Sequence, residues 1–353
     1  HGIEPGGDYL YRFKLRQSGT YWYHSHSSLQ EQAGVYGALI IDPLEPEPYA
    51  FDRDYVVMLS DWTDMDPHRL FARLKKRSDY DNLYKRTVGD LLRDAREDGL
   101  ATAVADRKAW GAMRMSPTDL ADVNGNTYTY LANGRRADDD WTGLFTPGER
   151  VRLRCVNGAA MTFFDVRIPG LKLTVVAADG QNIQPVDVDE FRIAPAQTFD
   201  VIVQPERDEA YVVFAQAMDR SGHARITLAP RMGMRAPSPV LDKRALLTMD
   251  DMGHGSHAMS TAEMSCGANM DHSKMSMSMP MSTSMQVHPP SETGNPFVDM
   301  QTMSPTPRLD DPGIGLRDNG RRVLRYADLH SLQMPDDDRE PSRAIELHLT
   351  GHM

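Results

Sequence analysis

The strongest fold signal in this chain is the stretch Gly19-Thr-Tyr-Trp-Tyr-His-Ser-His-Ser27, followed by Val35-Tyr-Gly-Ala-Leu-Ile-Ile-Asp-Pro43. It places His24 and His26 two positions apart in an aromatic run that favours a β-strand. Side chains alternate between the faces of a strand, so both imidazoles should point the same way, about 6.5–7 Å apart along the chain. This spacing suits two neighbouring metal ions, each bound by one imidazole, a favoured ligand of copper, zinc and iron. Periodicity alone leaves a second interpretation open, two half-buried histidines without a metal.

Together with Gln30-Glu-Gln between them, these two segments resemble the second copper-binding motif of the multicopper oxidases, in the bacterial copper-resistance protein A branch. The resemblance implies that His24 and His26 bind the type 3 copper pair, one histidine to each ion. It also implies type 1 and type 2 copper in the full-length protein, and an all-β fold of cupredoxin-like Greek-key β-sandwich domains.

The other copper-binding motifs of that family do not occur in the sequence. These are an early His-Trp-His-Gly, a late His-Pro-x-His-Leu-His-Gly, and a terminal His-Cys-His with a downstream His and Met. We therefore expect the chain to be a fragment, cut at both ends. Because it carries only His24 and His26 of the expected ligands, we expect the fragment itself to be inactive.

Strand and turn patterns predict two sandwich domains in the first 230 residues. Residues 1–45 should form the closing strands of a truncated first cupredoxin domain, with strands at Tyr9–Lys14 and Thr20–His26. Residues 51–230 should form the second cupredoxin domain, because many short strand patterns there alternate with Gly or Pro turns. A charged stretch at about 66–110 has helical spacing and predicts a helical insertion.

The composition changes after this domain. Residues 231–320 are rich in Met, Ser, His and Pro, so they should bury too little apolar surface to offset chain entropy. They are predicted to be a disordered, flexible Met/His-rich copper-binding linker. Residues 321–353 regain strand patterns at Arg321–Tyr326 and Ala344–Thr350, and should begin a truncated third cupredoxin domain.

Methionines crowd one part of this linker. Met270-Asp-His-Ser-Lys-Met-Ser-Met277 resembles the Asp-His-Ser-x-Met repeats of the same protein branch. Thioether sulfur is a soft ligand that favours Cu(I), while imidazole can bind either oxidation state. A core stripe, an adaptable partner-binding surface and an inert linker are alternatives to copper binding. The predicted Cu(I) ligands are Met249, Met252, Met259, Met264, Met270, His272, Met275, Met277, Met279, Met281 and Met285.

Charge and hydropathy limit the partners. The formal net charge of −11 argues against nucleic acid, because phosphate binding needs a basic face. No run of about 18 apolar residues occurs, so membrane insertion is not expected. Cys155 lies in a strand-like alternation and should fill a core, whereas Cys266 lies in a low-complexity tract, so no disulfide is predicted. The expected partners are copper ions and O₂, and the sequence leaves the oligomeric state open.

The resemblance implies a periplasmic multicopper oxidase for copper tolerance, which oxidises Cu(I) or phenolic reductants and reduces O₂ to water. The alternative is a non-catalytic periplasmic copper-sequestering protein, which the methionine tract alone would support. A degenerate cupredoxin scaffold would not need soft ligands, and a general laccase would not need the methionine tract. The sequence therefore favours Cu(I) oxidation.

Overall fold

The computed structural model describes residues 2–253, 286–298, 301–303, 305, 307–333, 339–340, 342–343 and 345–348. The predicted Cu(I) ligands between 254 and 285, together with Cys266, lie outside the described residues. In the part of the chain that is described, no helix combines the length and the apolar character needed to cross a membrane.

The strands of the described residues form one hairpin and two larger sheets. In chain order they are β1 (Gly19–His24), β2 (Tyr36–Ile41), β3 (Arg53–Trp62), β4 (Thr129–Ala132), β5 (Thr142–Leu144), β6 (Val151–Asn157), β7 (Phe164–Arg167), β8 (Leu173–Ala178), β9 (Gln181–Val188), β10 (Glu190–Ile193), β11 (Thr198–Val203), β12 (Tyr211–Ala217) and β13 (His223–Ala229). Strand β1 pairs with β2. The larger sheets have the orders β10-β7-β12-β13-β5 and β4-β3-β6-β11-β8-β9.

One apolar core lies between the two larger sheets. Phe164 and Val213 reach it from the five-stranded sheet, and Leu153 and Val201 from the six-stranded sheet. Most pairs are antiparallel, but β3 pairs with β6 and β13 pairs with β5 in parallel. Two sheets packed over a shared core form a β-sandwich, so the all-β prediction is confirmed.

Cys155 lies in this core with 0% of its surface exposed and forms no disulfide. Burial raises the pKa of its thiol, because the thiolate would lose its hydration. The thiol therefore behaves as a small apolar side chain, as the sequence predicted.

The edges of the sheets differ from the sequence prediction. Strand β9 (Gln181–Val188) was not predicted, since its sequence is polar and contains Pro185. It lies at the edge of its sheet, where proline is tolerated.

The predicted strand at Tyr9–Lys14 is wrong. Those residues pair with no strand of the described chain, and Tyr11 is 71% exposed. Alternation alone does not form a strand without a neighbour to accept its hydrogen bonds.

Helices occupy the charged stretch between β3 and β4. They are α1 (Pro67–Lys76), α2 (Val88–Glu97) and α3 (Leu100–Ala112). The side chain of Asp66 caps α1 by accepting the Arg69 N–H at 2.8 Å. Thr87 and Asp90 form a reciprocal capping box at the start of α2. Local capping signals thus set where these two helices begin.

The stretch predicted as a flexible linker contains anchored segments. Leu316 is only 1% exposed. Arg192 donates to the carbonyl of Ile314 at 2.8 Å, and Arg220 donates to the carbonyl of Gly315 at 3.3 Å. The linker prediction is therefore too broad, because guanidinium groups of the sandwich hold this segment in place.

The strand predicted at Arg321–Tyr326 is also wrong. The structure places a single parallel bridge there, between Val323 and Glu190, and a short 3₁₀ helix at Tyr326–Asp328. The described part of Ala344–Thr350, residues 345–348, has no regular secondary structure.

Candidate metal centre

His24 and His26 lie at the end of the β1–β2 hairpin. His24 is the last residue of β1 and pairs with Tyr36 of β2. The predicted strand continued to His26, but regular pairing ends at His24, and His26 lies two residues beyond it. The Ser25 N–H still donates to the carbonyl of Val35 at 3.0 Å, which extends the hairpin by one hydrogen bond. His24 therefore lies in the predicted strand, and His26 lies just beyond its end.

The two imidazoles are neighbours on one face. Their ring centroids are 4.5 Å apart, with the planes tilted by 41°. The indole of Trp22 stacks on His24 from the other side, with centroids 4.2 Å apart and planes within 8°. The rings lie closer than the chain spacing of two strand positions, because the side chains lean together. The structure thus brings the two predicted ligands into one small site, with Trp22 fixing the orientation of one of them.

One nitrogen of His24 is available to a metal. Nδ1 is buried and makes no hydrogen bond within the described residues. It lies 3.1 Å from Oε2 of Glu31, but the approach is out of line for a ring N–H, so the two atoms are in close contact without a hydrogen bond. A buried imidazole nitrogen without a partner suits metal binding, and an adjacent carboxylate favours a cation. These residues fit a copper ion.

Glu31 and Trp22 are neighbours of the site that sequence reasoning did not assign. The sequence could have placed Trp22 beside His24, since residues two apart on a strand share a face. Glu31 carried no such signal, because the turn between β1 and β2 brings it back to His24.

The hairpin is docked on the sandwich through a buried polar cluster. The hydroxyl of Thr20 donates to Oδ1 of Asp200 at 2.7 Å and accepts from Arg154 at 2.9 Å. Arg154 also contacts Oδ2 of Asp200 at 3.3 Å. Burial raises the pKa of Asp200, while the bond from Thr20 and the charge of Arg154 oppose that rise. This cluster holds β1, and with it the histidine site, against β6 and β11.

Tyr36 lies opposite His24 and faces the sandwich. Burial raises the pKa of its phenol, a hydrogen bond with Ser60 opposes this, and the charge of Asp61 adds to it. A Cβ placed on Gly158 would lie 3.4 Å from the Tyr36 ring and 3.5 Å from Trp22. The rings of Tyr36 and Trp22 thus pack directly on the backbone of the sandwich at Gly158.

Two of the predicted Cu(I) ligands are described, and they pack as apolar side chains. Met252 is 8% exposed and forms a cluster with Trp110 and Met113, against which Met249 packs. For these two thioethers to bind Cu(I), this cluster would have to open. Copper binding by the methionine tract stays a prediction, and the structure does not bring Met249 or Met252 to His24 or His26.

Comparisons with known proteins agree with the copper motif. Family models described as multicopper oxidase match residues 53–230 and residues 1–46. The chain is 59% identical over 382 residues to Copper resistance protein A of Escherichia coli, a match that covers 100% of this chain and 63% of that protein. It is 60% identical over 379 residues to the Copper resistance protein A homolog of Pseudomonas syringae pv. tomato, covering 100% of this chain and 62% of that protein. The chain thus spans less than two thirds of these curated relatives.

Solved structures resemble the chain more distantly. The laccase from Botrytis aclada matches with 22% identity and a TM-score of 0.46, over 67% of this chain and 39% of that one.

Proposed function

Because this chain belongs to the multicopper oxidase family, we propose that it forms part of a copper-tolerance oxidase that oxidises Cu(I) or phenolic reductants and reduces O₂ to water. The names of the two copper-resistance relatives support the physiological role. A periplasmic location is part of the proposal, as the compartment in which such a protein would meet incoming copper.

His24 and His26 are the residues that would hold copper in this chain. Family members bind type 1, type 2 and type 3 copper. The resemblance of the His24–His26 motif supports the type 3 pair as the role of these histidines. When bound, copper of this class supplies the electron transfer that reduces O₂ to water. The chain itself would bind copper through its imidazoles, orients His24 by stacking it on Trp22, and shields Nδ1 of that ring from water.

The observation that carries the proposal is the pair of neighbouring imidazoles, one with a buried nitrogen that finds no hydrogen-bond partner among the described residues. In a strand that binds no metal, we would expect this nitrogen to be hydrogen-bonded or exposed to water, since unpaired buried polar atoms are costly. The carboxylate of Glu31, 3.1 Å from this nitrogen, favours a cation at the same place.

The test uses the full-length, copper-loaded protein and measures bound copper and O₂ uptake with Cu(I) or a phenol. His24→Ala and His26→Ala should each lower the rate at least about 100-fold, since removing a ligand should cost at least as much as removing a supporting residue. His68→Ala, an exposed histidine on α1, is the matched control and should keep the parent rate. Full activity in both site variants would contradict the assignment.

A second candidate function is sequestration without turnover, which the methionine-rich composition favours. If the full-length protein binds Cu(I) stoichiometrically and consumes no O₂, this second function replaces the first. The 353-residue chain alone, which carries only His24 and His26 of the expected ligands, should not consume O₂ in the same assay.

The methionine tract is proposed to collect Cu(I) for oxidation. Thioethers bind Cu(I) in preference to Cu(II), so replacing the tract methionines between 254 and 285 by Leu should lower Cu(I) uptake and spare Cu(II) uptake. Met161→Leu with Met232→Leu, both exposed and outside the tract, is the matched control. Unchanged Cu(I) stoichiometry in the tract variant would contradict the proposal.

A further inference from the structure

Three side chains from distant parts of the sequence converge outside the β1–β2 hairpin. Nδ1 of His288 lies 2.9 Å from Oε2 of Glu292, and Nδ1 of His348 lies 2.9 Å from Oε1 of the same carboxylate. The two rings are 5.4 Å apart between centroids, nearly edge to face. Their side chains are 11%, 14% and 25% exposed for His288, Glu292 and His348. The cluster is thus partly shielded from water and open on one side.

The outer nitrogens of both histidines are held by acceptors. Nε2 of His288 lies 2.8 Å from the carbonyl oxygen of Thr302, and Nε2 of His348 lies 2.6 Å from Oε1 of Glu346. A carbonyl oxygen can only accept, so Nε2 of His288 carries a proton, whereas both ring nitrogens of His348 face carboxylates, Glu346 at Nε2 and Glu292 at Nδ1. When the proton of a neutral imidazole is on Nε2, Nδ1 presents a lone pair.

Each Nδ1 lies at hydrogen-bond distance from Glu292, so a protonated Nδ1 donates to that carboxylate. A divalent cation can replace these protons, because it binds the Nδ1 lone pairs and the carboxylate together. Metal-bound histidines commonly donate their other N–H to a carbonyl or a carboxylate, which is the arrangement of His288 and His348. The pattern is therefore that of a ligand set together with its supporting hydrogen bonds.

The distances also fit a single ion. Donors that lie about 2.0–2.2 Å from one metal, at square or tetrahedral angles, are about 2.8–3.6 Å apart. Nδ1 of His348 lies 2.9 and 3.0 Å from the two oxygens of Glu292, and donor atoms of all three residues lie within 4.8 Å of one another. A small contraction would bring all three to one ion.

We propose that His288, Glu292 and His348 bind one divalent transition-metal ion, with Cu(II) preferred. Two imidazoles and a carboxylate form a nitrogen–oxygen ligand set, for which affinity follows the order that places Cu(II) above Zn(II). The set contains no sulfur, so it differs in chemistry from the methionine tract that precedes it in the sequence. It shares no residue with the His24–His26 site and does not depend on the proposed oxidase activity.

Binding would join two segments that are 56 residues apart in the sequence between Glu292 and His348. A ligand that binds only the joined arrangement stabilises it, and the stabilisation grows with the logarithm of the ligand concentration above the Kd. The site would therefore couple Cu(II) binding to the docking of residues 286–298 against residues 345–348.

The test compares Cu(II) binding by the 353-residue chain and its variants, all with His24 and His26 replaced by Gln so that the hairpin site does not contribute. His288→Gln, Glu292→Gln and His348→Gln should each lose one equivalent of Cu(II), or bind it at least tenfold more weakly in equilibrium dialysis. His68→Gln, on α1, is the matched control and should bind as the parent does. Equal binding by the three site variants and the parent would overturn the proposal, as would an equal loss in the control.

A spectroscopic measurement on the same His24→Gln, His26→Gln chain, with His288, Glu292 and His348 intact, makes the test independent of whether each site variant folds. Electron paramagnetic resonance of one equivalent of Cu(II) should show coupling to two imidazole nitrogens, which changes on ¹⁵N labelling of histidine. Coupling to no imidazole or to only one would overturn the proposed ligand set. Tighter binding of Zn(II) than of Cu(II) in direct competition would overturn the stated metal preference.

Discussion

The hydroxyl of Thr20 donates a 2.7 Å hydrogen bond to the buried carboxylate of Asp200, which lies 180 residues further along the chain. Thr20 is 1% exposed and Asp200 is 3% exposed. Arg154 donates to the same hydroxyl, so one side chain satisfies two charged groups at once. This contact fixes the strand that carries His24 and His26 against the sandwich.

Replacing Thr20 by Val should destabilise the chain by about 1–3 kcal/mol, because buried Asp200 and Arg154 each lose a hydrogen-bond partner. Urea unfolding followed by intrinsic fluorescence measures the free energy of unfolding. Thr129→Val, at an exposed position of β4, is the control and should change it by less than about 0.5 kcal/mol. Equal effects of the two substitutions would show that the Thr20 contact does not stabilise the docked hairpin.

Gly180→Ala should destabilise the chain by about 1–3 kcal/mol more than Gly148→Ala does. Both glycines have positive φ, +75° and +92°, so both variants carry similar backbone strain. A Cβ on Gly180 would lie 2.4 Å from the ring of Tyr21 in β1, whereas a Cβ on Gly148 would meet nothing within 4 Å. Thermal unfolding of the two variants separates the clash from the strain. Equal melting temperatures would mean that the hairpin moves aside without cost.

Asp119→Asn should stabilise the chain at neutral pH but not below about pH 4. Burial, together with the charges of Asp122 and Asp79, raises the pKa of Asp119 from 3.8 to about 6. A carboxyl with a raised folded pKa contributes stability below its unfolded pKa, and that contribution is lost as the pH rises towards 6. The amide has no charge to bury, so the difference in melting temperature should grow between pH 4 and pH 6 and stay constant above.

Melting temperatures of the parent and Asp119→Asn between pH 3.5 and 8 provide the measurement. Asp8→Asn, at an exposed position, is the control and should show no such trend. A constant difference between the parent and Asp119→Asn across this range would contradict the raised pKa.

Trp22→Ala should weaken copper binding at His24 and His26 by about tenfold, although it removes no ligand. The indole stacks on His24 at 4.2 Å between centroids and holds the ring in its orientation. Copper affinity of the full-length protein, measured by competition with a chelator, provides the test. Trp22→Phe should retain most of the affinity, and Tyr23→Ala, on the opposite face of β1, should retain all of it. An equal loss in Tyr23→Ala would assign the effect to general loosening of the hairpin.

The local elements of this chain were largely predictable. Strands such as β11 (Thr198–Val203) and β12 (Tyr211–Ala217) are apolar runs between turns, and the start of α2 carries a capping box. His24 and His26 lie side by side because the extended course of β1 continues past His24, through the Ser25 hydrogen bond to Val35. These features depend on neighbours a few residues away, so the sequence pattern contains the information.

Features that depend on distant partners were not predictable. Edge strand β9 takes its structure from β8 despite Pro185, while the alternating run at Tyr9–Lys14 forms no strand within the described chain. The sequence predicted Met252 as a Cu(I) ligand of the methionine tract, but its side chain is buried against Trp110. In each case a long-range contact, or the lack of one, overrode the local pattern.

Residue order and residue chemistry were therefore enough to predict the family-like His-Ser-His motif, the all-β class and two imidazoles on one side of the chain. Only the tertiary structure decided that Thr20 anchors the hairpin to Asp200, that Glu31 returns to His24, and that His348 meets Glu292. These contacts join residues that are far apart in the sequence, and their geometry depends on how complete sheets and loops pack together, which no local pattern encodes.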